Sequence, residues 1–241
     1  MNIVLFLKKV LNTFLTPRYK FWYFDYDRKF VKSKKNQILF NLLSRIWFLP
    51  IDIQARYWHN ITIKDNHNYH KYKKIDKRAK ILLKAVIDCS NKKNDKILDL
   101  GSNVGRHLNY LTKKKFINLN GVDICKLSID KSKKIFPKLK KINLRCSSFE
   151  NYLVNSKNGE FDIIYTHGAT IEMVKPTFPL VSELFRVSKK YIILLINENG
   201  HKFPRFWRLE FKLMGLIVIQ NKIFKDGQSL VVLKKTDVKM N

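Results

Sequence analysis

The chain has 241 residues, of which 45% are hydrophobic, and its 48 Lys and Arg residues against 19 Asp and Glu residues give a formal net charge of +29. This length and apolar content exclude a disordered chain and fit one domain with an extension. The lysines occur in every segment, which is typical of solvated faces. An anionic membrane surface and nucleic acid stay open as partners of this charge.

The cysteines and the apolar segments indicate the cellular compartment of the protein. Cys89, Cys125 and Cys146 lie far apart without a paired cysteine or a histidine cluster, so neither a disulfide scaffold nor a zinc site is predicted. The apolar start is interrupted by Lys8 and Lys9, and no run approaches the roughly 20 apolar residues that cross a bilayer. We expect a cytoplasmic protein, with peripheral attachment to the inner membrane surface as an option.

Residues 1–65 form a predicted helical extension that is rich in aromatic side chains and lysine. Apolar residues recur at helical spacing over 5–15 and again over 38–47, which predicts two amphipathic helices. Basic helices that carry Trp and Phe are typical of segments that lie on anionic membranes, so residues 1–50 are a candidate membrane contact. The alternative is an extension that packs on the domain and covers its binding pocket.

The apolar pattern of residues 66–241 predicts one α/β domain, in which strands and helices alternate five times before a closing hairpin. His67 and His70 lie in a polar loop without a third ligand nearby, so no metal is predicted there. Short apolar runs indicate buried strands, and apolar residues at a 3.6-residue period indicate helices. The predicted strands cover 96–100, 119–123, 142–146, 161–166, 191–196, 216–219 and 230–233, and the predicted helices cover 75–89, 106–111, 127–136, 149–153, 178–185 and 204–213.

The first strand of the domain ends in a tight polar turn, residues 101–105, that leads into a helix. Such a turn brings unpaired N–H groups and the positive end of a helix dipole to one place, which favours a polar or anionic ligand. The second strand ends at Asp123, about twenty residues beyond Gly101. In doubly wound folds a carboxylate there accepts both hydroxyls of a ribose, because the first two strands are neighbours. The alternative is an acid at a helix N-terminus beside Lys126.

Four segments, 98–106, 121–123, 147–150 and 161–165, carry a family resemblance. They read Leu-Asp-Leu-Gly-Ser-Asn-Val-Gly-Arg, Gly-Val-Asp, Ser-Ser-Phe-Glu and Phe-Asp-Ile-Ile-Tyr, and in this order and spacing they resemble the successive motifs of class I S-adenosylmethionine-dependent methyltransferases. Four motifs in register are more specific than one glycine turn. The resemblance spans about residues 70–235. It implies a Rossmann-like doubly wound sheet of seven strands, mostly parallel with the last strand antiparallel.

The resemblance also implies S-adenosyl-L-methionine as the cofactor and indicates which residues hold it. Asp99 and the turn would hold its methionine end, Asp123 its ribose, and Ser148 with Phe149 its adenine. Asn103 stands where the family has its second glycine, but Asn tolerates the left-handed backbone. Ser148 stands where an acid often contacts the adenine amino group, which would weaken binding. The implied cofactor-binding residues are Asp99, Gly101, Ser102, Asn103, Gly105, Asp123, Ile124, Ser148, Phe149, Thr166 and His167.

A nicotinamide-dependent enzyme is the rival interpretation of the same predicted fold. Its Gly-x-Gly-x-x-Gly motif would require glycines at positions 101, 103 and 106, and two of these positions hold Asn103 and Arg106. Side chains at these two positions would therefore hinder the close approach of a pyrophosphate to the backbone. The sequence argues against a nicotinamide-dependent enzyme.

Methyl transfer from a sulfonium is an in-line displacement, so alignment of the acceptor supplies much of the rate, and an oxygen acceptor can also require a base. The candidates follow strands four and five, where the sheet opens to its ligand. His167 is the best placed, and its alternative role is a cofactor or backbone contact without proton transfer. The four candidate bases are His167, Glu172, Glu198 and His201, of which His167 and Glu172 are our catalytic candidates.

The acceptor itself is not encoded in a recognisable motif. The fourth strand runs into Thr-His-Gly-Ala and lacks the Asn-Pro-Pro-Tyr type of motif that grips a nucleobase amino group. We therefore expect methyl transfer to a small-molecule, glycan or lipid-linked acceptor, at oxygen. The alternatives are an RNA methyltransferase and a protein that binds S-adenosylmethionine without catalysis.

Overall fold

A computed structural model describes residues 3–14, 71–168, 171–174, 178–197 and 205–236. Several predictions fall outside these residues: the helix over 38–47, the loop with His67 and His70, and the candidate bases Glu198 and His201. The backbone of Glu172 lies in a short 3-10 turn, Ile171–Met173, but its side chain is outside the described part.

The described residues form seven helices and seven strands, apart from short 3-10 turns. The helices are α1 (Ile3–Phe14), α2 (Lys77–Cys89), α3 (Arg106–Lys113), α4 (Lys126–Ile135), α5 (Phe149–Val154), α6 (Leu180–Val187) and α7 (Trp207–Leu213). The strands are β1 (Ile97–Leu100), β2 (Leu119–Asp123), β3 (Asn143–Cys146), β4 (Phe161–His167), β5 (Ser188–Ile196), β6 (Leu216–Ile223) and β7 (Ser229–Lys235).

The strands form one sheet in the order β3-β2-β1-β4-β5-β7-β6. Strands β1 to β5 pair in parallel, whereas β7 runs antiparallel to both β5 and β6. The carboxyl ends of β1, β2 and β4 therefore meet at one edge, where the strand order reverses and ligands bind in open α/β sheets. The predicted fold, a doubly wound seven-stranded sheet with the last strand antiparallel, is confirmed.

Apolar side chains cover both faces of the central strands. Along β1, Leu98 and Leu100 belong to one buried cluster and Ile97 belongs to the other. Ile163 and Ile164 divide in the same way on β4, because successive side chains of a strand point to opposite faces. Helices on both faces bury these side chains, which is why the central strands appear in the sequence as continuous apolar runs.

Element boundaries differ from prediction where polar residues continue a strand. Strand β5 begins at Ser188, and β6 continues to Ile223, beyond the apolar run that the sequence indicates. The β6 extension is exposed because this strand lies at the edge of the sheet. Helix α7 begins at Trp207, after the predicted start at residue 204. Edge strands satisfy their pairing through backbone groups, so hydrophobicity alone does not reveal their ends.

The amphipathic helix predicted near the start of the chain is present as α1 and contacts the domain at Phe206. The ring centroids of Phe6 and Phe206 lie 5.8 Å apart, and the Lys9 ammonium lies 5.0 Å from the Phe206 centroid. On the same helix, Ile3 and Leu7 remain 72% and 58% exposed. Among the described helices, none has the length and hydropathy that crossing a bilayer would require.

Candidate active site

The turn after β1 has the left-handed backbone that its sequence predicts. Gly101, Asn103 and Gly105 have φ angles of 84°, 49° and 80°. Asn103 therefore replaces a glycine without changing the course of the turn, because Asn enters this conformation more readily than other non-glycine residues. The Asn103 side chain also accepts a hydrogen bond from the Val104 amide at 2.7 Å, which stabilises the turn locally.

The amide groups of this turn are not open to a ligand, which corrects the prediction from the sequence. Gly101 and Ser102 both donate to the carbonyl of Val122, at 2.9 and 3.0 Å. Gly105 donates to the Ser102 carbonyl at 2.8 Å, and Asn103 donates to Asp123. These bonds tie the turn to the end of β2, so these four amides are not available to a ligand, whereas several side chains at this edge are.

Asp123 is the first of these side chains. One carboxylate oxygen accepts the Asn103 amide and the other accepts the Cys125 amide, both at 2.8 Å. The side chain is buried, and desolvation raises its pKa, while these two amides act in the opposite direction. A carboxylate has about four acceptor sites, so one site on each oxygen remains for two further donors.

Asp99 is a second buried carboxylate, one strand away. It is 1% exposed, and neither of its oxygens accepts a hydrogen bond from the described residues. Burial raises its pKa to about 7; the nearby Tyr165 hydroxyl opposes this shift, although it falls short of hydrogen-bond geometry, whereas Asp123 adds to it. The Ser102 hydroxyl is buried and equally without a partner in the described structure. Buried groups of this kind require a partner, which a ligand can supply.

His107 and His167 lie beside Asp99. Nδ1 of His107 is 3.7 Å from an Asp99 oxygen, and Nε2 of His107 is 3.4 Å from Nδ1 of His167. Burial lowers the pKa of His167 to about 4 and that of His107 well below its usual range, and the Arg106 cation acts in the same direction on both. Both imidazoles are therefore neutral near pH 7.

Residues that precede and begin α2 close one side of the site. Asp76 caps this helix by accepting the Ala79 amide at 2.7 Å, and it pairs with Arg106 at 3.1 Å. The Arg106 guanidinium also lies 5.5 Å from the centroid of the Tyr72 ring. Burial raises the pKa of Tyr72. The nearby charge of Arg106 lowers this pKa, and that of Asp123 raises it. This segment therefore lies next to the end of β2 and the start of α3.

The residues expected around adenine lie at the end of β3, next to Asp123. Asp123 pairs in register with Cys146, two residues before Ser148. The Ser148 hydroxyl accepts the Asn151 amide at 3.0 Å and caps α5. Phe149 is half-buried against the core, and Ile124 is half-buried after the end of β2. These residues line one continuous edge with Asp123.

Thr166 has a role in the sheet. Its hydroxyl is fully buried and donates to the Leu100 carbonyl at 2.9 Å, where it joins the ends of β4 and β1. The Thr166 hydroxyl is therefore not exposed to make the predicted contact with a cofactor. His167, the next residue, points to the other face of the strand and reaches His107.

Sequence reasoning missed His107, Tyr72 and Asp76 as site residues. His107 lies on the buried face of α3 together with Leu108 and Leu111. A histidine among the apolar residues of a helix that follows the turn was the available signal. Tyr72 and Asp76 reach the site through tertiary packing, and nothing in their local sequence indicates that contact.

Comparison with known proteins agrees with this architecture. Residues 97–191 match a family model described as a methyltransferase domain. An S-adenosylmethionine-dependent methyltransferase from Aquifex aeolicus is similar with a TM-score of 0.52 and 19% identity, over 70% of this chain and 99% of that chain. A TehB-like S-adenosylmethionine-dependent methyltransferase from Corynebacterium glutamicum has a TM-score of 0.51 and 20% identity, over 77% and 97%. No curated protein matches the chain.

The cyclase SpnF is also similar, with a TM-score of 0.55 and 9% identity over 65% of this chain and 80% of that chain. At such identities these likenesses show the fold, and the fold alone does not assign the reaction. Residues 97–191 thus resemble a methyltransferase domain, and the sheet has the Rossmann-like fold of the similar methyltransferase structures. The family resemblance predicted from the four motifs is thereby confirmed.

The raised pKa of Asp99 predicts a pH-dependent stability of the ligand-free protein. The folded protein keeps this proton up to about pH 7, whereas the unfolded chain loses it near 3.8. Between these values the unfolded state binds fewer protons, so this group lowers stability as the pH rises. We expect Asp99→Asn to stabilise the protein by up to about 4 kcal/mol at about pH 8 and by little at about pH 4. Urea unfolding of both proteins measures this difference, and an equal difference at both pH values would contradict it.

Proposed function

We propose that the protein binds S-adenosyl-L-methionine across the carboxyl ends of β1 and β2 and transfers its methyl group to an acceptor. The observation that carries this proposal is the Asp123 carboxylate, which keeps one acceptor site on each oxygen after binding two backbone amides. Two vicinal ribose hydroxyls are the donors that fit this arrangement. The alternative from the sequence, an acid at a helix N-terminus beside Lys126, accounts for the bond to the Cys125 amide but leaves these two acceptor sites unused, and Lys126 itself bonds to Asp130 at 2.8 Å.

The other end of the site fits the amino-acid part of the same cofactor. Asp99 offers two unpaired carboxylate oxygens, and Ser102 offers an unpaired hydroxyl. A bound ammonium group would compensate the buried charge of Asp99, which otherwise keeps its pKa near 7. Gly101, Asn103 and Gly105 shape the turn around this end, and we propose that they contact the cofactor through their backbone surface.

The adenine would lie against Ile124 and Phe149. Both are half-buried at the edge beyond Asp123, and an aromatic side chain is a suitable neighbour for a planar base. The Ser148 hydroxyl is occupied as the cap of α5, so it positions Phe149 more than it binds the base. Selection for adenine would then rest on shape and backbone groups.

The chemistry requires a group that can take a proton when the acceptor is a hydroxyl. When bound, S-adenosylmethionine supplies an electrophilic methyl group on a sulfonium. His167, at the end of β4, is a neutral imidazole next to this place, and a neutral imidazole can accept the proton of an acceptor hydroxyl. Glu172 follows in the next turn and stays a second candidate from the sequence.

We propose a small-molecule, glycan or lipid-linked acceptor that is methylated at oxygen. The sequence at the end of β4, Thr-His-Gly-Ala, lacks the Asn-Pro-Pro-Tyr type of motif that grips the amino group of a nucleobase. The base and the Arg106–Asp76 pair are polar, which suits a hydroxylated acceptor. Transfer to RNA would instead require the scattered surface lysines to act as a phosphate-binding surface.

We also propose that α1 holds the enzyme against an anionic membrane, which would suit a lipid-linked acceptor. Phe6 and Lys9 pack on Phe206, whereas Ile3 and Leu7 point outward on a helix whose formal charges are the lysines at positions 8 and 9. Exposed apolar residues on a basic helix favour adsorption to anionic lipid. On this proposal α1 contacts both the domain and the membrane.

Substitution of Asp123 tests cofactor binding directly. Asp123→Asn loses the charge and one acceptor oxygen, so we expect S-adenosylhomocysteine, the product form, to bind about 10 to 100 times more weakly by calorimetry. Asp130→Asn is the control, because this exposed carboxylate bonds only to Lys126 among the described residues. Equal affinities of wild type and Asp123→Asn, with both proteins folded, would refute the proposed ribose site.

Substitution of His167 tests catalysis. Wild-type protein incubated with methyl-labelled S-adenosylmethionine and separated lipid, glycan and RNA fractions should label the lipid or glycan fraction. His167→Gln should lower that turnover about 100-fold or more while S-adenosylhomocysteine affinity changes little, because a lost general base affects the chemical step. Lys189→Gln, exposed near the opposite end of β5, is the control. Unchanged turnover would remove His167 as the base, and label in RNA alone would replace the proposed acceptor class.

Vesicle binding tests the membrane contact. Ile3→Gln with Leu7→Gln should reduce sedimentation with phosphatidylglycerol vesicles several-fold, because the apolar contact is lost while the charge is kept. Ile117→Gln is the control, since Ile117 is 71% exposed on the loop before β2. Equal losses in both proteins would mean that apolar exposure in general, and not α1, drives adsorption.

A further inference from the structure

We infer that His107 and Asp99 form a proton relay behind His167, in which His107 is the positioning residue that makes His167 a base. This inference rests on the proposed function, because it concerns the proton that an acceptor hydroxyl loses. It assigns His107, which belongs to none of the motifs that carry the family resemblance, to the reaction.

The three side chains form one row that leads away from the end of β4. The rings of His107 and His167 are nearly parallel, with an interplanar angle of 11° and centroids 5.3 Å apart. Their facing nitrogens are only 3.4 Å apart, far closer than the centroids, so the rings meet edge to edge. Asp99 follows at 3.7 Å from the other nitrogen of His107. Catalytic hydrogen bonds are often this long before ligands bind and shorten in the loaded site.

The carboxylate gives this row a direction. An ionised Asp99 can only accept, so His107 presents its Nδ1–H to it and keeps a lone pair on Nε2. Nδ1 of His167 must then carry a proton, which it donates to that lone pair. The remaining nitrogen of His167, Nε2, is left as the basic atom. One carboxylate thus sets the tautomer of two imidazoles.

Burial explains why the base needs a further proton acceptor. His107 and Asp99 are 5% and 1% exposed, so a charged imidazolium within the row is strongly disfavoured. Arg106 faces the histidines from α3 and disfavours their protonation, whereas Asp76 favours that of His167. Around Asp99, Tyr165 and Arg106 favour the charged form, and Asp123 opposes it. In the segment before α2, Tyr72 interacts electrostatically with Arg106 and Asp123. Asp99 has two carboxylate oxygens, so one can stay with the cofactor ammonium group while the other takes the proton of this row.

The step balances within the row. The acceptor oxygen forms a bond to the methyl carbon, and the bond between carbon and sulfur breaks with its electron pair going to sulfur. The hydroxyl proton moves to Nε2 of His167 as the proton on Nδ1 of His167 moves to Nε2 of His107. The proton on Nδ1 of His107 moves to Asp99. After the methylated product leaves, the same row returns the proton to water through His167.

The test reads the tautomers without an acceptor. In protein labelled with ¹⁵N-histidine, long-range ¹⁵N–¹H spectra near pH 7.5 show which ring nitrogen carries hydrogen, and His107→Gln and His167→Gln assign the signals. We expect the Nδ1–H tautomer for both histidines in the wild type. The His107→Phe variant, which removes the acceptor, should return His167 to the Nε2–H form common in water. The Gln side chain can still accept a hydrogen bond, so His107→Gln should keep the Nδ1–H form of His167.

A second measurement separates this inference from the proposed function. We expect His107→Gln to bind S-adenosylhomocysteine within about threefold of the wild type, yet to lose about tenfold or more of the turnover of the labelled fraction, because the Gln side chain cannot pass a proton on. Asn109→Ala, half-buried on the same helix, is the control. An Nε2–H tautomer at either histidine of the wild type, or full turnover of His107→Gln, would overturn the relay alone. Failure of the wild type to bind the nucleoside would overturn the proposed function and the relay with it.

Discussion

The structure of the candidate site depends on one contact, the hydrogen bond from the Asn103 amide to the Asp123 carboxylate. Together with the bonds from the Gly101 and Ser102 amides to the Val122 carbonyl, it joins the turn after β1, in which Asn103 is left-handed, to the end of β2. The same carboxylate anchors the Cys125 amide at the start of α4. Because these amides use only part of its acceptor capacity, Asp123 supports the fold and still offers a ligand two acceptor sites.

Two carboxylates at neighbouring strand ends, those of Asp99 and Asp123, have different hydrogen-bond environments. Asp123 is held by amide donors, whereas Asp99 is buried, with Nδ1 of His107 at 3.7 Å and the Tyr165 hydroxyl near its carboxylate. Burial without donors raises the pKa of Asp99 to about 7, which suits a group that can hold a proton or face a ligand cation. Asp99 lies on β1, inside the sheet, whereas Asp123 lies at the end of β2, one strand nearer to the edge.

The fold and the position of Asp123 beside the first turn could be predicted because both follow from local patterns. Apolar runs mark the buried strands, and a carboxylate at the end of the second strand must lie beside the first turn when the strands are parallel neighbours. The turn amides were predicted incorrectly as unpaired, since those of Gly101 and Ser102 bond to the Val122 carbonyl and that of Asn103 bonds to Asp123, on another strand. His107, Tyr72 and Asp76 were missed for the same reason, because their contacts join segments that are distant in sequence. Local sequence therefore indicates the elements and their ends, but not the contacts between side chains of different elements.

The central claim is that a sulfonium nucleoside lies over the ends of β1 and β2. A crystal structure of the protein with S-adenosylhomocysteine tests it most directly. The claim predicts both ribose hydroxyls within hydrogen-bond distance of the Asp123 carboxylate and the amino-acid end next to Asp99 and Ser102. Density for the nucleoside elsewhere on the protein, or a ribose turned away from Asp123, would contradict it.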